Sequence, residues 1–289
     1  MNGLRGYLEL VRPANVSTAL ADVLAGYAVA GLSNHRALGW LLLSTACLYA
    51  GGVVLNDVFD REVDRTERPE RPIPSGRVPV AAATALGLGL LGAGVLAAWL
   101  ATSAAGMVAA GIAGSVLLYD AWGKRQGLFG PLNMGICRGL NLLLGVAAAP
   151  ALLVEAWPLA LVPLVYITAV TAVSRGEVHG GRRGIAAFAL ISLSLVLVAL
   201  LGVALSPPRV AWAGVAFTAV LAWRVLPAFW GAYRVPEPGP IRHAIRTGVL
   251  SLVLLDAVIG ATYGGALYSL TILATGLVAS SLARLFAVT

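Results

Sequence analysis

Long uncharged runs alternate with short charged ones along the chain. Val78 to Gly106 carries no charge, and neither do Gly139 to Val154, Ala156 to Ser174, Gly184 to Pro208 or Ala257 to Ala283. A helix needs about 20 mostly apolar residues to cross a bilayer, and several of these runs reach or approach that length. The pattern predicts spans near residues 14–33, 38–57, 79–101, 104–122, 131–152, 157–174, 185–206, 210–230, 243–263 and 266–287. Only Thr262 to Gly265 divides the last two, so the expected count is nine or ten. The predicted fold class is therefore an all-α, polytopic membrane helical bundle, read as one domain over residues 1–289.

Composition adds weight without changing the picture. Hydrophobic residues make up 59% of the chain, charged residues 11%, and the mean hydropathy is +0.86. A soluble globule is nearer ~45–50% apolar. The N-terminal "MNGLRGYLELVRP" places charges before the first apolar stretch, and that stretch continues at full helix length. It reads as the entrance to a first span, not as a cleavable leader. Cys47 and Cys137 both fall in apolar segments and suggest neither a disulfide framework nor a metal knuckle.

The charges are unevenly placed. With the N-terminus in the cytoplasm, Arg5, Arg12, the arginines of residues 61–77, Lys124, Arg125, Arg175, Arg182, Arg183 and the C-terminal set from Arg224 to Arg284 all fall inside. Only Arg36 and Arg209 fall outside, and Arg138 sits within a span. Such asymmetry is the positive-inside signature of an integral membrane protein, here of a bacterial-type inner membrane. It also accounts for the net charge of +7 without nucleic acid as a partner.

One loop concentrates the polar chemistry: "NDVFDREVDRTERPERPIPSGR", from Asn56 to Arg77. If the second span runs on into this loop as helix, Asn56, Asp60 and Asp64 share one face at i, i+4 and i+8, with Asp57 beside them. A row of like charges requires a cation in front of it. Hard oxygens in such a row suit Mg²⁺, which takes one or two carboxylates plus phosphate oxygens and water. A metal-bridged diphosphate is the natural ligand. Arg71 and Arg77 flank the rigid "PIPSG" turn, where fixed guanidinium groups suit bidentate phosphate contact. Lys124 and Arg125 add cations on the same side. The bland alternative is a solvated loop laced with surface ion pairs.

"NDVFDREVD" followed by "RPIPSG" resembles the UbiA superfamily of intramembrane prenyltransferases. "LVRPANVSTALADVLAGYAVAG" is similar to that family's first helix, and "YDAWGKR" to its Tyr…Lys element. The resemblance implies a bundle around a central cavity, Mg²⁺ held between two Asp-rich loops, and an isoprenyl diphosphate whose prenyl group passes to an acceptor that the sequence does not identify. Carried over, Asn56, Asp60 and Asp64 would be metal ligands, Asp60, Asp64 and Lys124 would serve catalysis, and Tyr119 and Lys124 would meet the diphosphate. The Tyr-x4-Lys spacing here is one residue longer than the common pattern.

The second loop departs from that family. "SRGEVHGGRRG" (Ser174 to Gly184) puts Gly176 and Gly180 where aspartates are expected. Glu177 is then the carboxylate left to serve as metal ligand and catalytic group. His179 suits a base or phosphate donor, and Arg182 and Arg183 suit direct phosphate contact. This loop, together with "MGICRGLNLLLG", resembles the divergent EboC branch of the family. Arg138 lies deep in the apolar region, where ionisable groups mark a lined cavity. With Asn133 and Asn141 it is expected either on a substrate-binding wall or in a polar network that locks helices together. The leading function is a Mg²⁺-assisted prenyltransferase working in the lipid bilayer. The competing class is a non-catalytic lipid-binding or export-assisting protein of the same fold. A transporter gives no reason for the Asn/Asp row.

Overall fold

The computed structural model describes residues 2–206 and 210–285. Arg209 and the side chain of Arg284 lie outside the described residues. The described chain is helical throughout and contains no strand. In order it forms α1 (Asn2–Val11), α2 (Pro13–Val29), α3 (His35–Phe59), α4 (Arg61–Glu67), α5 (Val80–Ala101), α6 (Ser103–Ala121), α7 (Phe129–Val146), α8 (Leu153–Ala156), α9 (Leu161–Ser174), α10 (Arg183–Leu205), α11 (Trp212–Arg234), α12 (Pro238–Leu250), α13 (Leu252–Gly264) and α14 (Ala266–Leu285).

Local chemistry sets several of these boundaries. Pro13 opens α2, where its missing N–H costs nothing. The Asn34 side chain accepts from the Ala37 N–H and caps α3, and Thr102 does the same for Ala105 at α6. Gly265, at φ 87°, turns the chain between α13 and α14, so "TYGG" does separate two helices.

Seven helical segments among the described residues are long and apolar enough to cross a membrane: His35–Phe59, Val80–Ala101, Ser103–Ala121, Pro150–Ser174, Arg183–Leu205, Trp212–Arg234 and Pro238–Gly264. The other three expected spans coincide with α2, α7 and α14. α2 has 17 residues, and α7 carries Asn133, Arg138 and Asn141 within its 18. The segment Pro238–Gly264 is interrupted at Ser251, which separates α12 from α13.

The connections gather at two ends. At one end α1, the 60–79 loop and the α6–α7, α9–α10 and α11–α12 connections meet. There Arg77 pairs with Glu9 at 2.7 Å, Arg175 donates to the Gln126 carbonyl, and the Gly181 N–H donates to the Pro236 carbonyl. At the other end Asn34 reaches the Ala148 carbonyl and Thr102 reaches that of Ala147. The charged loops therefore share one end of the bundle, as the charge pattern predicts.

Between these ends α2 is an interior helix, packed against α3, α7, α13 and α14. Lipid tails are as apolar as leucine, so helices in a membrane gain by close backbone approach. The α2–α7 contact does this with reciprocal glycines. A Cβ on Gly26 would lie 2.0 Å from the Leu142 carbonyl oxygen, and one on Gly145 would lie 2.2 Å from that of Val23. Both clashes are with backbone and cannot be relieved by a rotamer change. Gly26→Ala and Gly145→Ala are each expected to cost at least about 1–3 kcal/mol, read as a lowered melting temperature in detergent. Gly92→Ala, whose Cβ would meet open space, is the matched control.

Candidate functional site

A cavity of about 280 Å³ opens between α3, α6, α7 and the α1–α2 corner. α3 supplies Thr45, Leu48, Tyr49, Gly52, Val53 and Asn56. Their three- and four-residue spacing is one helical stripe, about 16 Å long at 1.5 Å per residue. α6 supplies Ile112, Val116, Tyr119 and Asp120, and α7 supplies Met134, Cys137, Arg138 and Asn141. Arg12 and Asn15 close the corner. Polar groups thus stand at the charged end and along α7, while α3 and α6 contribute most of the apolar wall.

The row of Asn56, Asp60 and Asp64 keeps its register through the α3–α4 bend. The Asp60 N–H donates to the Asn56 carbonyl at 3.0 Å, and the Asp64 N–H to that of Asp60 at 2.9 Å. Each member meets a different partner. The Asn56 amide donates to Asp120 Oδ1 at 2.7 Å. Lys124 Nζ lies 2.6 Å from Asp60 Oδ1 and 3.9 Å from Asp120 Oδ1. Arg71 donates to Asp64 at 2.7 Å and to Asp57 at 3.3 Å, and Arg12 donates to Asp57 at 2.6 Å. The acidic face is thus compensated by cations from the α1–α2 corner, the 60–79 loop and the turn after α6.

Two participants were not singled out by the sequence pattern. Arg12 holds a left-handed backbone, φ 47° and ψ 66°, a conformation unusual for a residue with a side chain. The following Pro13 disfavours the right-handed helical region at this position, and the corner aims Arg12 at Asp57. The Arg-Pro dipeptide was the available signal. Asp120 sits four residues before Lys124, and its spacing placed it near the same end without saying which side chain it would meet.

Other expected residues lie elsewhere. Arg77 is held by Glu9 and the Glu70 carbonyl, and it does not line the cavity. Asp57 and Arg71 are committed to each other and to Arg12 and Asp64. Glu177, His179 and Arg182 are exposed. None of the three lines the cavity. Their loop turns at Gly180, with φ 86°, and the Gly181 N–H bonds to Pro236. That bond draws the loop onto the α11–α12 connection, so the structure does not bring Glu177 to the Asn/Asp row. Arg175 instead donates to the Lys124 and Gln126 carbonyls at 3.3 and 2.5 Å.

Deeper in the bundle, Arg138 donates to Asp22 Oδ2 at 2.5 Å and to Thr18 Oγ1 at 3.1 Å. Asn141 donates to the same Asp22 oxygen at 2.8 Å and accepts from Thr45 at 2.7 Å. Arg138 and Asn141 line the cavity, and they tie α2, α3 and α7 together. Asn133 is turned toward α6, against Ser115 and Tyr119. Asp256 of α13 lies against Asp22.

For a hard divalent cation, the donor set fits at the first loop. Asp60 and Asp120 turn carboxylate oxygens toward a position that an ammonium already finds favourable, and two carboxylates completed by water and phosphate oxygens suit Mg²⁺. The second loop offers no carboxylate at the cavity and does not fit.

Removing one partner of a buried ion pair leaves an uncompensated charge and costs about 3–5 kcal/mol. Arg138 is 9% exposed. Asp22→Ala is therefore expected to destabilise by that order, whereas Asp22→Asn with Arg138→Met should cost less than the sum of the single changes. Thermal unfolding of the four variants, the two single changes of that pair included, checks both expectations.

Residues 17–244 match the UbiA prenyltransferase family. The digeranylgeranylglyceryl phosphate synthase of Ignicoccus hospitalis is 40% identical over 145 residues, covering 50% of this chain and 48% of that protein. The synthase of the same name from Sulfolobus acidocaldarius is 34% identical over 169 residues, covering 57% and 58%. The chain spans about half the length of the curated relatives it matches. Among solved structures, one of a digeranylgeranylglyceryl phosphate synthase aligns with a TM-score of 0.70 at 23% identity, covering 91% of this chain and 99% of that one. A UbiA homologue from Archaeoglobus fulgidus bound to GPP and Mg²⁺ aligns at 0.66 and 16%, covering 96% and 99%. At these identities the structural likeness establishes the fold.

Proposed function

Because the chain belongs to the UbiA prenyltransferase family, we propose that it moves an isoprenyl group from an isoprenyl diphosphate to an acceptor of the glyceryl phosphate class, with Mg²⁺ at the first loop. The acceptor class rests on the name shared by the relatives. The observation that carries the reading is the group formed by Asn56, Asp60, Asp120 and Lys124 at the end of a cavity whose α3 and α6 walls are apolar.

Mg²⁺ bound by Asp60 and Asp120 would supply positive charge to the diphosphate oxygens. The remaining chemistry belongs to the chain's own residues. Leaving diphosphate gains negative charge as the C–O bond lengthens, and cations fixed at that end stabilise it. Lys124 is the cation assigned this role, while Arg12 stays with Asp57. Leu48, Val53, Ile112, Val116 and Met134 exclude water from the allylic cation. The rings of Tyr49 and Tyr119 border the same space, where an aromatic face attracts a cation. Arg138 and Asn141 are the polar groups on the α7 wall available to orient the acceptor. By the positive-inside rule, the charged end faces the cytoplasm.

A non-catalytic lipid-binding role is favoured by one observation, the exposed second loop with Glu177 away from the cavity. The two readings separate in a thermal-shift series with Mg²⁺ and geranyl, farnesyl and geranylgeranyl diphosphates. A ligand at a hundredfold excess over its Kd adds about 2.7 kcal/mol of stability. The prenyltransferase reading expects a Mg²⁺-dependent rise that Asp60→Asn abolishes and Glu177→Gln leaves intact. No rise with any donor would move the binding role to the front.

A further inference from the structure

The cation nearest the first-loop oxygens belongs to the protein itself. Lys124 Nζ is 2.6 Å from Asp60 and 3.9 Å from Asp120, and Asn56 closes on Asp120 at 2.7 Å. These are the oxygens that fit a divalent ion. An ammonium and a metal ion cannot share them without strong repulsion, so one must leave when the other arrives.

We propose that Lys124 is an internal counter-ion at the metal position, and that diphosphate binding exchanges it for Mg²⁺ by drawing the ammonium onto a phosphate oxygen. This rests on the diphosphate-binding reading above.

Three features support the exchange. The first is that Lys124 is the cation of the group paired with the candidate metal oxygens themselves. Arg12 and Arg71 are each engaged with Asp57, and Arg71 also with Asp64. The second is that the backbone bearing Lys124 is held still while its side chain is long. Arg175 donates to the Lys124 and Gln126 carbonyls. Gly130 makes room for that guanidinium, since a Cβ there would lie 3.0 Å from Arg175 Nη2. A four-carbon stem on a fixed anchor lets a compact charge swing between two partners. The third is access. The Asp60 side chain is 29% exposed while that of Lys124 is 12% exposed, so the carboxylate can be approached from the open side without unfolding the turn.

The consequence is an opposed pair of affinities. Without diphosphate, Mg²⁺ must compete with Lys124 and binds weakly. Lys124→Met should tighten Mg²⁺ binding in the absence of diphosphate by about tenfold, and should weaken inorganic diphosphate, within the usual range for coupled sites. Arg125→Met removes an equal charge from the same turn but an exposed one, and should change neither. Asp60→Asn should give the reverse signature, with Mg²⁺ binding lost and diphosphate alone held more tightly.

Isothermal titration of the detergent-purified full chain with Mg²⁺ and with inorganic diphosphate, separately and together, reads all four proteins. Opposite changes in Lys124→Met, absent in Arg125→Met, support the exchange. Unchanged or weaker Mg²⁺ binding in Lys124→Met, or equal effects in the two variants, overturns it. If Lys124→Met does not fold, the Asp60→Asn signature decides, and diphosphate binding no tighter than wild type overturns the proposal. A wild-type chain that binds no diphosphate at any Mg²⁺ concentration sinks the functional reading along with the exchange.

Discussion

Carboxylates crowded at the edge of a low-dielectric bundle cannot remain uncompensated, and much of the charged end is built around that constraint. Asp57, Asp60, Asp64 and Asp120 approach one another because the α3–α4 register and the end of α6 bring them together. Each draws a cation or an amide from a different segment: Arg12 from the α1–α2 corner, Arg71 from the 60–79 loop, Lys124 from the turn after α6 and Asn56 from α3 itself. The acidic row therefore does two things. It staples four segments of chain into one end of the bundle, and it leaves a site where positive charge is favoured beside an apolar space. Stability and candidate chemistry come from the same electrostatic requirement, which is why substitutions here disturb both.

Much of the fold was legible in hydropathy, because a spanning helix is specified by a local property that a window of the chain contains. The first-loop register was legible for the same reason, since i, i+4 and i+8 spacing is set by helix geometry alone. Partner choice was not. Nothing local to Arg71 says that it closes on Asp57 and Asp64, and nothing local to Arg77 points to Glu9. Arg12 becomes part of the site through a left-handed corner that a propensity argument does not foresee. The Glu177 loop illustrates the opposite error. Its composition suggested a substitute carboxylate, but one backbone bond to Pro236 decides where the loop lies. Such long-range bonds leave no trace in the spacing of residues nearby.

Deeper in the bundle, the polar network is an alternative use of charge in an apolar setting. Arg138, Asp22, Asn141 and Thr45 satisfy one another across three helices. Each polar group taken out of water there needs a partner, so their geometry is mutually imposed. The wall that this network presents to the cavity is rigid for the same reason that the helices it joins are fixed. A substrate reaching that depth would meet donors already aimed, with little reorganisation left to make. Asp256 meets Asp22 carboxyl to carboxyl at the edge of that network.

The interior position of α2 has a consequence for biogenesis. α2 leaves the ribosome before α7, α13 and α14, yet those helices cover its faces, and Tyr268 of α14 donates to its Leu24 carbonyl. Contacts this distant in the chain close late, because the intervening loop entropy must be overcome first. Until α7 is inserted, Asp22 lacks Arg138 and Gly26 has no Gly145 to pack against. The nascent chain must therefore hold a short, polar-bearing helix in or beside the membrane while the helices that cover it are still being made. That waiting period, more than any property of the finished bundle, is the vulnerable stage of its assembly.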